Sequence, residues 1–317
     1  MIKAGWIIGL LFVAVIWFFI ENKRSHTKLS LNYHLIQSDK IPKGFHNKKI
    51  AFLSDLHNNK FGKENEGIME LLAQAEPDYI FVGGDMLVSK AGNTYGVALI
   101  LMKKLAEKYT VYCGNGNHEA RLLWRGTENP EIGILYEEYT SAIKNAGVHH
   151  ISNETDRIYQ NTEYIYVSEI DLSRSYYKKL SSKQLEVSSI EELIGTCKDD
   201  SFHILLAHNP AYFPSYSQWG ADLTLSGHVH GGIMRLPFLG GVIDPAYHLF
   251  PKYDGGMYEQ DGKKMIVSVG LGTHSIKIRL LSSLTFLPIK RNMEHFKSIY
   301  VVALKNISKT SSYSEIP

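Results

Sequence analysis

The sequence predicts an α/β fold in four layers, α/β/β/α, with two packed mixed sheets flanked by helices. Three observations predict it. Up to about residue 152, apolar runs of four or five residues alternate with stretches at helical spacing, as in a layered α/β domain. Beyond Tyr164, short strand-like runs follow one another among Gly- and Pro-rich turns. At 317 residues, the chain is also long enough for an ample core.

In chain order, a first strand is expected around Leu31–Ile36 and a second at Ile50–Ser54. Ile68, Leu71, Leu72 and Ala75 then share one helical face within Glu64–Ala75, and Pro77 ends that helix. Tyr79–Val82 and Thr110–Cys113 are strands on either side of a helical pattern over Tyr95–Lys108. Leu135, Tyr139, Ala142 and Ile143 mark a further helix before Val148–Ser152. The later strands are Tyr164–Glu169, His203–Ala207, Leu223–Ser226, Met265–Val269 and Ile299–Leu304. The expected organisation is an N-terminal segment over 1–24, a linker with the first strand over 25–46, one domain over 47–308 and a flexible Ser-rich tail over 309–317.

A formal net charge of +2 argues against the basic field that nucleic acid requires. Cys113 and Cys197 are far apart and lack Cys-x-x-Cys spacing, so no disulfide framework or zinc ribbon is inferred. Cys113 closes an apolar run and is expected to be a buried thiol. From Gly5 to Ile20 there are sixteen uncharged, mainly apolar residues, preceded by Lys3 and followed by Glu21, Lys23, Arg24 and Lys28. With flanking residues that snorkel, this run predicts an uncleaved single-pass anchor, since no small-x-small cleavage site follows it. The excess of Lys and Arg after the run favours a cytoplasmic body. Short N-terminal anchors also lead exported domains, so the side of the membrane stays open.

The chemistry-bearing residues sit where the strand-like runs end. Ile50–Ser54 leads into Asp55 and His57; Tyr79–Val82 into Gly83-Gly84-Asp85; Val111–Cys113 into Gly114-Asn-Gly-Asn117-His118-Glu119. His203–Ala207 leads into His208, and Leu223–Ser226 into Gly227-His228-Val-His230-Gly231-Gly232. In α/β sheets, ligands collect beyond the carboxyl ends of strands. Period-two alternation would aim Asp55 and His57 at one point. Imidazole, carboxylate and amide oxygen without thiolate suit Mn, Fe or Zn better than calcium. Seven candidate ligands (Asp55, His57, Asp85, Asn117, His208, His228, His230) exceed what one tetrahedral ion takes and suit two divalent ions sharing a carboxylate.

The series Asp55-x-His57, Gly84-Asp85, Gly116-Asn117-His118-Glu119, His208 and Gly227-His228-x-His230 resembles the calcineurin-like metallophosphoesterase superfamily, from about Lys49 to Leu280. Ile204–Pro210, His230-Gly-Gly232 before Arg235-Leu-Pro237, and Val267–Gly272 before Ile278-Arg279-Leu280 are similar to the bacterial membrane-associated branch that includes UDP-2,3-diacylglucosamine hydrolases. The resemblance implies a first metal on Asp55, His57 and His230, a second on Asn117, His208 and His228, and Asp85 between them. It makes His118 the non-ligand imidazole that stabilises the phosphoryl group or protonates the leaving oxygen. Two departures stand out. Where many members carry an acid that orients this histidine, the chain has Val88, and where the branch often has Gln after the double glycine, it has Ile233.

His149, His150, His203, His248 and His274 match no motif position and are taken as surface or packing residues. Arg121 and Arg125 are either solvated or hold a phosphate oxygen. Glu119 is expected to brace its turn. Met234–Phe250 either folds back over the sandwich or forms an apolar lip near the metals, and Leu280–Leu287 raises the same question. The expected function is a membrane-anchored dinuclear phosphoesterase that hydrolyses a phosphodiester, pyrophosphate or phosphomonoester, preferably lipid-linked, by attack of a metal-bridging hydroxide. The alternatives are a nuclease of the same superfamily and a non-catalytic metal-binding scaffold or sensor. No nucleic-acid partner is expected.

Overall fold

Alternate residues of single strands feed different cores, and this builds the layers. The computed structural model describes residues 28–90, 94–232, 234–236, 240–272 and 297–307, with eight isolated positions between 6 and 20. In β2 (Lys49–Leu53), Ile50 and Phe52 enter one cluster while Ala51 and Leu53 enter another. β3 (Tyr79–Val82) repeats this with Tyr79 and Phe81 against Ile80 and Val82. In β8 (His203–Ala207), Ile204 and Leu206 meet the first of these clusters, while Leu205 and Ala207 face a third. The period of two puts one face of each sheet on its partner sheet and the other on helices.

Six strands form the first sheet. β1 (Leu29–Ser38) pairs in parallel with β14 (Lys297–Asn306), which runs antiparallel to β2. β2, β3, β4 (Thr110–Cys113) and β5 (His149–His150) then run parallel. The second sheet has the order β12 (Gly256–Gln260), β13 (Lys263–Val267), β9 (Leu223–Ser226), β8, β7 (Glu163–Ile170), β6 (Glu154–Gln160). Its four central strands are parallel and its two edge strands antiparallel. A separate hairpin joins β10 (Met234–Leu236) to β11 (Gly240–Ile243).

The helices α1 (Glu66–Ala75), α2 (Gly96–Ala106) and α4 (Pro130–Asn145) cover the outer face of the first sheet with Ile68, Leu72, Leu101, Leu105, Tyr139 and Ile143. α3 (Asn117–Gly126) follows β4 directly. On the other sheet, α5 (Val187–Ile194) and α6 (Phe213–Trp219) bury Ile190, Tyr216 and Trp219. The fold is therefore the expected α/β/β/α sandwich.

Three helices and four strands, β6 and β10 to β12, were not legible in the periodicity. The first turn of α3 buries Asn117, His118 and Glu119, so polar residues occupy the face where an apolar stripe is sought. α5 and α6 have only eight and seven residues, too short to establish a period. β6 is an edge strand whose one buried residue is Ile158.

The expected anchor at Gly5–Ile20 lies mostly outside the described residues. Its eight described positions are helical, with Trp6, Phe12 and Phe19 being 72%, 66% and 64% exposed. Among the described residues, no helix is long and apolar enough to cross a membrane. Ile233, His274, Leu280–Leu287 and the tail after residue 308 also lie outside the described residues, as do the side chains of Met234–Leu236.

Phe81 lies between the sheets, fully buried, with its ring 5.5 Å from that of Tyr112. Phe81→Ala is expected to lower unfolding free energy by about 3–5 kcal/mol, read from urea denaturation.

Candidate metal centre

β2 stops at Leu53, so strand alternation is not what brings Asp55 and His57 together. Both residues instead adopt left-handed backbone, φ 56° and 48°, as do Asp85 (53°), His228 (69°) and His230 (55°). Five of the seven predicted ligands therefore sit in a conformation that costs most non-glycine residues energy and concentrates at functional sites. Backbone pairing beyond the strand ends holds them there. The N–H of Asp55 donates to Gly84 O at 2.9 Å, and that of His57 to Asp85 O at 3.0 Å. Gly84, at φ 83°, lies so close to the next loop that a Cβ would be 1.9 Å from Gly116 N. At Gly227 a Cβ would lie 2.3 Å from Asp55 Oδ2.

Six predicted ligands fall into two triads, Asp55–His57–His230 and Asp85–His208–His228, with the ligand atoms of each within 4.8 Å of one another. Asp55, His57 and Asp85 come from the first sheet, and His208, His228 and His230 from the second. Asp85 lies between the two sets, its Oδ2 3.6 Å from His57 Nε2 and 3.3 Å from His208 Nε2. Asp55 is oriented by the Ser54 hydroxyl at 2.5 Å and by the His228 N–H at 3.0 Å.

The donor set fits cations on three counts. Asn117 Oδ1 is buried and accepts no hydrogen bond among the described residues. His208 donates Nδ1–H to Gly83 O at 2.7 Å, which leaves the Nε2 lone pair facing carboxylate oxygens of Asp85 and Asp55 at 3.3 and 3.9 Å. Facing acceptors repel unless a proton or metal ion lies between them. Burial disfavours charge on His208, but Asp85 and then Asp55 outweigh it and raise the imidazole to about 10. Burial pushes Asp55 up to about 7, with His208 pulling the other way and Asp85 adding to the rise.

His118 is one residue beyond Asn117 and differs from the triads. The Ser89 backbone N–H donates to its Nδ1 at 3.0 Å, with the Ser89 hydroxyl also at 3.0 Å. With Nδ1 accepting, the neutral ring carries its proton on Nε2. Ser89 thus orients the histidine where Val88 offers no acid, a role invisible in the sequence because a backbone amide provides it. His118 also stands in a third cluster with His57 and Asp85. An imidazole protonated at Nε2 and engaged at Nδ1 is a donor, which separates it chemically from the two ligand triads.

Glu119 braces more than its own turn. Its buried carboxylate accepts N–H groups from Asp85 (2.8 Å), Met86 (2.9 Å), Leu87 (3.3 Å) and Gly116 (3.1 Å). Burial and the nearby Asp85 raise it to about 7 against these four donors. Among the unassigned histidines, His203 packs in the second sheet, with its Nε2 2.6 Å from Ser168 Oγ. His150 Nε2 lies 3.0 Å from Asn115 Oδ1, and His149 stacks on Tyr112. Cys113 is buried as expected.

At the strand ends of this α/β/β/α sandwich, carboxylates, imidazoles and an amide cluster in an arrangement that could hold divalent ions. Residues 48–232 match the calcineurin-like phosphoesterase family, and the chain belongs to that family. It is 29% identical over 252 residues to the metallophosphoesterase YkuE of Bacillus subtilis, covering 78% of this chain and 80% of that protein. It is 24% identical over 246 residues to the phosphodiesterase YaeI of Escherichia coli, covering 76% and 82%. A metallophosphoesterase of Aquifex aeolicus is 26% identical over 257 residues, covering 80% and 88%. The protein is a metal-dependent hydrolase of phosphoric esters.

Two outcomes follow from this geometry. Glu119→Ala removes the acceptor from four buried N–H groups and is expected to cost about 3–5 kcal/mol in chemical denaturation. Saturating Mn²⁺ is expected to raise the melting temperature by about 5 °C or more. Differential scanning calorimetry on Asp85→Asn should show most of that gain lost.

Proposed function

We propose that this chain is a membrane-tethered, two-metal phosphoesterase acting on a lipid-linked phosphate. The observation that carries the two-metal part is Asp85 standing between the Asp55–His57–His230 and Asp85–His208–His228 triads. Two divalent ions, Mn, Fe or Zn, would supply Lewis acidity and an activated water for in-line displacement at phosphorus. Asp55, His57 and His230 would hold one ion, Asn117, His208 and His228 the other, with Asp85 shared.

The chain's own residues do the rest. His118, whose Nδ1 accepts from the Ser89 N–H, presents its Nε2–H as a hydrogen-bond donor that stabilises charge on a phosphoryl or leaving oxygen. Glu119 fixes the loops of Asp85 and Gly116 so that the pocket needs little reorganisation. Arg121 is one helical turn beyond His118 on α3 and half-buried; burial lowers its guanidinium below the usual range, with Asp85 partly offsetting this. That placement suits a group that holds a non-reacting phosphoryl oxygen.

Support for the membrane comes from two places. The Gly5–Ile20 run is uncharged, and its described large apolar side chains are exposed. Leu249 and Phe250, 68% and 57% exposed, form an apolar rim on the segment that follows β11. Tethering raises the effective concentration of substrates that lie in the bilayer.

The test is His118→Ala in the full chain. The kcat on bis(p-nitrophenyl) phosphate should fall by about 10²–10⁴, while elemental analysis still finds the wild-type metal content. A metal-binding scaffold would have no turnover to lose, and loss of metal together with activity would place His118 among the ligands instead.

A further inference from the structure

The wall of the metal centre that carries His228 opens into a cleft of about 420 Å³. Tyr177, from the short 3-10 turn Arg174–Tyr177, joins the two: its ring meets His228 edge-on at 5.3 Å and lies 6.5 Å from His208. The far wall is the stretch from Asp244 to Tyr253, which includes the exposed Leu249 and Phe250.

The charges in this lining do not balance. Lys178, Lys183 and Lys252 all face the cleft. Among the described residues, none has a carboxylate within ion-pair distance. The carboxylate in the lining, Asp244, is already engaged by His248, whose N–H and Nδ1 both lie 2.9 Å from it. Lys183 is held with its Nζ 3.8 Å over the Tyr176 ring and 2.7 Å from Ser175 Oγ. Lys252 Nζ lies 4.9 Å from the Tyr253 ring. Tyrosine faces position ammonium groups but do not neutralise them. Three cations around a partly apolar concavity, beside a centre that binds phosphate, form a focusing field for a second anion.

We infer that this cleft receives the non-reacting part of the substrate, and that this part carries a second phosphate separated by an organic spacer from the one that reacts. The inference rests on the phosphoesterase reading above and adds the substrate class, an amphiphile with two phosphates. The reacting phosphate meets the Asp85 side and the second meets Lys178, Lys183 and Lys252, with the apolar portion on Leu249 and Phe250. The reaction is hydrolysis: water oxygen bonds to phosphorus, the ester P–O bond breaks and the leaving oxygen takes a proton.

The test uses the full chain in detergent micelles with Mn²⁺ and three short-chain lipids: dioctanoyl phosphatidic acid, phosphatidylglycerol and phosphatidylglycerol phosphate. The first two offer a single phosphate as monoester or diester, and the third offers two phosphates. Products are followed by mass spectrometry. The two-phosphate lipid is expected to exceed the better single-phosphate lipid by about tenfold in kcat/KM, carried in KM. In the combined Lys178→Gln, Lys183→Gln, Lys252→Gln variant that ratio should fall to about one. Wild-type protein without the preference, or a variant that retains it, overturns the cleft assignment while bis(p-nitrophenyl) phosphate turnover leaves the phosphoesterase standing. Failure to hydrolyse any of these compounds, the chromogenic diester included, overturns both.

Discussion

A single buried carboxylate ties the active end of the first sheet together. Glu119 accepts N–H groups from the loop after β3 and from the turn that opens α3, two segments that pairing within the sheet no longer reaches. Each of those amides would otherwise be a buried donor without a partner, which is costly in a low-dielectric interior. The same four bonds set where Asp85 and Asn117 stand relative to one another. The His118 N–H adds a further tie by donating to Asp85 Oδ1 at 2.7 Å. The scaffold thus holds these side chains through backbone donors.

That close approach has an electrostatic consequence. Asp55, Asp85, His57 and His208 are all buried, and their acceptor atoms converge to between 3.3 and 3.9 Å. Brought so close out of water, such groups must share protons or take up cations. The family to which the chain belongs and the clustered donors favour the second. Five strand-end residues take left-handed backbone to bring their side chains together, and the Gly83 carbonyl orients His208 so that Nε2 faces the carboxylates. His118, in contrast, has its Nδ1 filled by Ser89, which makes it a donor beside a field of acceptors. His208 and His118 thus differ at Nδ1, which donates to Gly83 O in the first and accepts from the Ser89 N–H in the second.

Much of this was legible in the chain. Apolar runs of four or five residues ending in Gly, Asp, Asn or His gave the strand ends of both sheets, because a strand's period of two survives even in short segments. Thr110–Cys113, His203–Ala207 and Leu223–Ser226 occur at the expected residues. α3 was not legible, since its buried face is made of the site's own polar groups. The pairing of Asp55 with His57 was expected from alternation, yet it arises from two left-handed turns, which no periodicity encodes.

The sequence by itself determined which side chains lie at the strand ends and in what order, since residue identity and local period are properties of the chain. Only the tertiary structure decided how they are held: that left-handed turns bring Asp55 and His57 together, that a Ser89 amide orients His118 where Val88 offers no acid, and that Lys178, Lys183 and Lys252 face one cleft. These relations join segments far apart in sequence through backbone amides and loop packing. Neither leaves a spacing or a composition that can be read along the chain.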